Sequence, residues 1–200
     1  MSEKAPFRIL ALGDSLTAGY GLTAEDGFTH QLEAALNQKQ KSRGYPIEII
    51  NAGVSGDTSA GGRGRIAWLV SDTPDAAIVA LGANDGLQGL PPEEMEKNLS
   101  AILDILLEKE IESILFIGML APPNMGERYG QRFNAVFPQL AQRYNVVFYP
   151  FFLEGVAAEP DLNQADGIHP NKQGVSEIVK RLLPKVEKLL GETEDPSNPS

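Results

Sequence analysis

Five short, β-branched apolar runs, each followed by a longer stretch of helical period, constrain this chain more than any other feature. They are Phe7 to Leu12, Ile47 to Asn51, Ala76 to Leu81, Ser113 to Ile117 and Val146 to Tyr149. Runs of that length read as strands, and strands separated by helical segments are joined most simply as parallel neighbours through crossover helices. The clearest intervening helix starts behind Pro91, Pro92 and an acidic first turn, with Met95, Leu99, Ile102, Leu103 and Leu106 on one stripe. A last stripe, Val175, Ile178, Val179, Leu182, Val186 and Leu189, contains Pro184, which should kink or split it. Further helices are expected near 28–40, 58–71 and 130–144. The architecture that follows is α/β: a three-layer α/β/α sandwich around a five-stranded parallel sheet. Ligands bind such sheets at the carboxyl ends of the strands, so residues that carry chemistry should fall just after strands.

Composition narrows the function. Two hundred residues, 42% of them hydrophobic, suffice for one sizeable core, and a single domain is expected over residues 1–190. The final GETEDPSNPS has no apolar content to offset its ordering entropy and reads as a disordered tail over 191–200. A net charge of −10, with 17 Lys and Arg gathered into no stripe, argues against a nucleic-acid partner. The absence of cysteine excludes disulfides, a thiolate nucleophile and Cys-based metal sites. HExxH and calcium-loop patterns are also absent, and no cofactor or metal is expected. The longest apolar stretches fall well short of the roughly 18 residues of a membrane span. The start, MSEKAPFRILALGDS, reads as a strand and not as a signal peptide. That favours the cytoplasm, with a periplasmic or secreted location if a leader has been removed.

Four segments could carry chemistry, and each follows an expected strand. Gly13-Asp14-Ser15 would place a serine hydroxyl on a tight turn after the first strand, although such a turn also satisfies local backbone groups without any catalysis. Asn51-Ala52-Gly53-Val54-Ser55-Gly56-Asp57-Thr58 follows the second strand; a glycine there would let a backbone N–H approach a ligand, and Asp57 or Thr58 would cap the next helix. Gly82-Ala83-Asn84-Asp85 follows the third, where the Asn84 amide could donate to a developing oxyanion or simply form an Asx turn. In DGIHPN, Asp166 lies three residues before His169, close enough in a loop to bind one imidazole nitrogen and leave the other for a serine. His30, on an expected helix, has no such acid and reads as packing or surface. The four segments would share one edge of the sheet.

Gly13-Asp14-Ser15-Leu16, Gly56, Gly82-Ala83-Asn84-Asp85 and Asp166-Gly167-Ile168-His169-Pro170 resemble, in order, the four signature blocks of the SGNH (GDSL) hydrolase family. Beyond them, GDSLTAGYG, NAGVSGDTSAGG, LGANDGLQG, NMGERYGQRFNAVFP, PFFLEGV and DGIHPNKQG look like its bacterial group of multifunctional acyl-CoA thioesterase I, lysophospholipase L1 and arylesterase. The resemblance covers almost the whole chain. It implies a flavodoxin-like sheet and a serine esterase in which Ser15 attacks the acyl carbon, with Asp166 and His169 as acid and base. It also implies an oxyanion hole from the Ser15 N–H, the Gly56 N–H and the Asn84 amide, with Gly53 as a neighbouring candidate. Asp14 would position the Ser15 loop. One departure concerns specificity: Gly118-Met119-Leu120-Ala121-Pro122 is uncharged where several relatives carry Arg.

Gly62-Arg63-Gly64-Arg65-Ile66-Ala67 fits a dinucleotide-binding pattern, but it should lie at the start of or inside a helix, about ten residues past the second strand, which is the wrong setting. No G-x-S-x-G is present, which excludes the α/β-hydrolase elbow. The expected substrate is a small ester or thioester with an apolar acyl or aryl group. Its pocket would be lined from the loops after strands three to five, by Leu87, Leu90, Met119, Leu120, Pro122 and Phe152. Rival readings are a carbohydrate O-deacetylase, which would want polar, aromatic sugar platforms where this chain has a single tryptophan, Trp68 on an expected helix, and a non-catalytic binding protein of the same fold.

Overall fold

The computed structural model describes residues 4–38 and 43–191. The apolar runs become β1 (Phe7–Gly13), β2 (Ile47–Gly53), β3 (Ala76–Ala80), β4 (Ile114–Ile117) and β5 (Val147–Tyr149). All four neighbouring pairs are parallel and the order is β2-β1-β3-β4-β5. The chain therefore runs from β1 out to one side and returns to the other, which makes β1 the switch point where open α/β sheets hold their ligands.

Alternation along the strands builds two cores. Ile9, Ala11, Ile78, Ala80, Leu115 and Ile117 face one layer. Leu10, Leu12, Ala77, Val79, Ile114 and Phe116 face the other. Both faces of β3 and β4 are buried, which explains why these strands read as continuous apolar runs. The first layer holds α2 (Phe28–Asn37) and α7 (Lys172–Leu189); the second holds α3 (Ser59–Leu69), α5 (Pro92–Glu108) and α6 (Glu127–Tyr144). Two short helices complete the elements at the carboxyl edge, α1 (Ser15–Ala18) and α4 (Ala83–Gln88).

Helix α7 corrects one expectation, because it is not split at Pro184. Its six stripe residues are all buried on the sheet, on both sides of the proline. Each is worth about 1.5–3 kcal/mol of burial, against about 3 kcal/mol for an interior proline. Pro184 and Lys180, whose carbonyl loses its helical partner, both lie on the exposed side, where water can replace the missing bond. The expected helix at 28–40 ends at Asn37, with residues 39 and 40 outside the described residues, as is the expected tail from residue 192 on.

Candidate active site

β1 ends at Gly13, and Asp14 begins α1 as its N-cap, its Oδ1 accepting from the Leu16 N–H at 3.0 Å. Ser15 is the first residue of that helix, so its own N–H has no acceptor one turn back. Gly53, at the end of β2, lies directly under Ala18, where any β-carbon would strike the α1 backbone. Its close approach lets α1 rest on the sheet edge with the Ser15 hydroxyl uppermost.

The hydroxyl is 2.9 Å from His169 Nε2, and His169 Nδ1 is 2.6 Å from Asp166 Oδ2. The other carboxylate oxygen, Oδ1, accepts from the N–H groups of Ile168 at 2.9 Å and His169 at 3.0 Å. The His169 N–H, then the imidazole and the Ile168 N–H, pull the Asp166 carboxyl from 3.8 down to about 2. A fixed carboxylate at Nδ1 holds the proton there and leaves Nε2 to accept from the serine. The Tyr20 ring covers the imidazole at a centroid distance of 4.5 Å. Asp14, buried to 1% exposure, is set apart from this chain of bonds; burial pushes its carboxyl up to about 6.

Of the two glycines considered after β2, Gly53 has its N–H occupied by Asn51 Oδ1 at 2.9 Å. Gly56 sits in a turn at φ 83°, a conformation that favours glycine, with open space where a side chain would project. Asn84 lies in the first turn of α4, where the sequence also allowed an Asx turn. One N–H of its amide donates to the Asp57 carbonyl at 2.9 Å, which aims the group and leaves the second N–H for another acceptor. Its neighbour Asp85 is buried and receives the Ser59 N–H at 2.8 Å and the Ser59 hydroxyl at 2.5 Å, which ties α4 to the start of α3. Thr58 is the N-cap of α3, while Asp57 pairs with Arg65 at 2.8 Å.

Ser15, Gly56, Asn84 and His169 open onto one cleft of about 640 Å³. Of the expected lining, Leu87, Met119, Leu120 and Pro122 are on its wall. Leu90 and Phe152 are not, which corrects that reading. Leu90 lies beyond the end of α4, where its carbonyl accepts the Tyr129 hydroxyl at 2.9 Å. Phe152 is 2% exposed and packs edge-on against Phe28 in the core beneath. The wall also includes Leu16, Tyr20, Ala157, Ala158 and Ile168, which the sequence reading passed over. Tyr20 and Ile168 flank the signature residues closely enough that their apolar character was the available signal. His30 is exposed on α2, and Trp68 is 76% exposed on α3, outside the cleft wall.

Residues 11–176 match the model of the GDSL-like Lipase/Acylhydrolase family. The chain belongs to this family. Among relatives in the same family, Esterase TesA of Pseudomonas aeruginosa is 36% identical over 189 residues, which cover 94% of this chain and 92% of that protein. The crystal structure of AlinE4, described as an SGNH-hydrolase family esterase, is 46% identical and superposes with a TM-score of 0.76, covering 94% of this chain and 99% of that one. The psychrotrophic esterase EstA from Pseudoalteromonas sp., in a structure inhibited by monoethylphosphonate, is 34% identical with a TM-score of 0.83 over 93% of this chain and 100% of its own. The GDSL membership makes this protein a serine esterase, and the resemblance read from its four blocks holds.

Proposed function

We propose that the cleft hydrolyses carboxylic esters of uncharged, apolar acyl or aryl groups through an acyl-enzyme on Ser15. The observation that carries this reading is the unbroken chain Asp166 to His169 to Ser15, ending at the floor of an apolar cleft. His169 Nε2 takes the serine proton as Oγ attacks the carbonyl carbon, and Asp166 stabilises the imidazolium that forms. The N–H groups of Ser15 and Gly56 and the second N–H of Asn84 hold the oxyanion. Collapse of the tetrahedral intermediate expels the alcohol, protonated by His169. Water, activated by the same imidazole, then releases the acid.

The wall residues support the substrate class. His169 is the one side chain among them that can carry a positive charge, and none is Asp, Glu, Lys or Arg. Such a wall gives no Lys or Arg to the phosphates of an acyl-CoA thioester, and most of its side chains are apolar. A series of p-nitrophenyl esters of increasing acyl length, run beside an acyl-CoA, tests this. Each methylene buried in the cleft is worth about 0.8 kcal/mol, so kcat/KM should rise about fourfold per added carbon until the cleft is filled. The acyl-CoA should be the poorer substrate at equal acyl length. A preference for acetyl esters with no gain from longer chains would point to the deacetylase reading instead.

A further inference from the structure

Arg65 lies on α3, outside the cleft wall, and the described chemistry makes no use of it. Its guanidinium nonetheless binds three separate segments at once. Nη2 donates to the Gly13 carbonyl at 3.0 Å, Nη1 to the Ala52 carbonyl at 2.7 Å, and Nε to Asp57 Oδ2 at 2.8 Å. These partners are the ends of β1 and β2 and the residue that follows Gly56. The Asp57 carbonyl in turn receives the Asn84 amide. One planar group is thus one residue from the Asp14-Ser15 turn, one residue from Gly56, and one hydrogen bond from Asn84.

We propose that Arg65 is the positioning residue of the oxyanion hole, setting the mutual distances of its three donors through Gly13, Asp57 and the Asn84 amide. This rests on the assignment of Ser15, Gly56 and Asn84 as those donors. The chemistry demands arginine. A guanidinium presents donors in fixed directions and is always charged, so it can join two carbonyls and a carboxylate that diverge from one point. A lysine ammonium in the same place is a single mobile point charge. The Arg65 side chain is mostly shielded from solvent, at 21% exposed, as is Asp57 at 16%, so the cluster is held more rigidly than a surface ion pair. Preorganised donors act mainly on the transition state, and small misplacements of them are costly.

The test is a kinetic cycle on Arg65→Lys, Asn84→Ala and the double variant, using one p-nitrophenyl ester. Arg65→Lys keeps a charge for Asp57 and is the variant expected to stay folded, which a thermal melt checks. It should lower kcat about 10- to 100-fold while KM moves less than threefold. In the Asn84→Ala background, where one of the three donors it positions is already lost, the same change should cost less. In Arg65→Ala, added methylguanidine should restore part of kcat, and it should do nothing for Asn84→Ala. Additive losses in the cycle, or an unchanged kcat in folded Arg65→Lys, would overturn the role of Arg65. If Asn84→Ala itself retains full kcat, the oxyanion assignment fails instead, and the two failures are distinguishable.

Discussion

Replacing Asp14 by Asn should stabilise the protein above pH 6 and leave it nearly unchanged near pH 4. Asp14 is buried in the turn before Ser15, where desolvation raises its carboxyl from 3.8 to about 6 despite the hydrogen bond from the Leu16 N–H. Between those two values the folded chain holds a proton that the unfolded chain has released. Wild-type stability from this group therefore falls as pH rises from about 4 to about 6, and the full cost is present above 6. The gap, at about 1.4 kcal/mol for each tenfold change in proton affinity, amounts to about 3 kcal/mol. Asn keeps an oxygen for the Leu16 N–H and caps helices as well as Asp does, but it carries no charge to desolvate. Urea unfolding of both proteins at several pH values between 4 and 8 measures the difference directly. The advantage of the variant should grow from near zero at pH 4 to about 3 kcal/mol by pH 7 and then level off. A difference that does not change with pH would refute the reasoning.

Asp166→Asn should lower kcat by about 10³- to 10⁴-fold, because an amide can donate to Nδ1 and would leave the proton on Nε2, where it cannot accept from Ser15. Steady-state rates should show Asp14→Asn losing far less, since Asp14 is not bonded to the imidazole. Thr17 is buried at 1% exposure, and its hydroxyl has no hydrogen-bond partner among the described residues. Thr17→Val removes that cost with nearly the same shape and should raise stability by about 1 kcal/mol, read as an upward shift in Tm.

The sheet was legible because its strands are short, β-branched apolar runs, continuous where β3 and β4 are buried on both faces, and their length separates them from the longer helical stretches between. Ser15, Asn84 and His169 were legible for a related reason, since parallel topology delivers whatever follows β1, β3 and β5 to one edge. Two kinds of detail escaped. Leu90 and Phe152 look like Leu87 and Leu120 in composition, and only three-dimensional packing separates core and loop anchor from cleft wall. Pro184 was overrated as a breaker because local propensity cannot weigh the six buried residues around it. Arg65, inside a glycine-rich helix, reads as one more solvated cation or as part of a nucleotide motif. Its partners at Gly13, Ala52 and Asp57 are between 8 and 52 residues away in sequence and meet only when the strands align.

The assignment of Ser15 as nucleophile, activated by His169, is tested most directly by fluorophosphonate labelling followed by peptide mass spectrometry. The folded protein at neutral pH should gain one phosphonyl group, on the peptide containing Ser15, and His169→Ala should label far more slowly. Folded wild-type protein that stays unlabelled, or carries the adduct on a serine other than Ser15, would contradict the account.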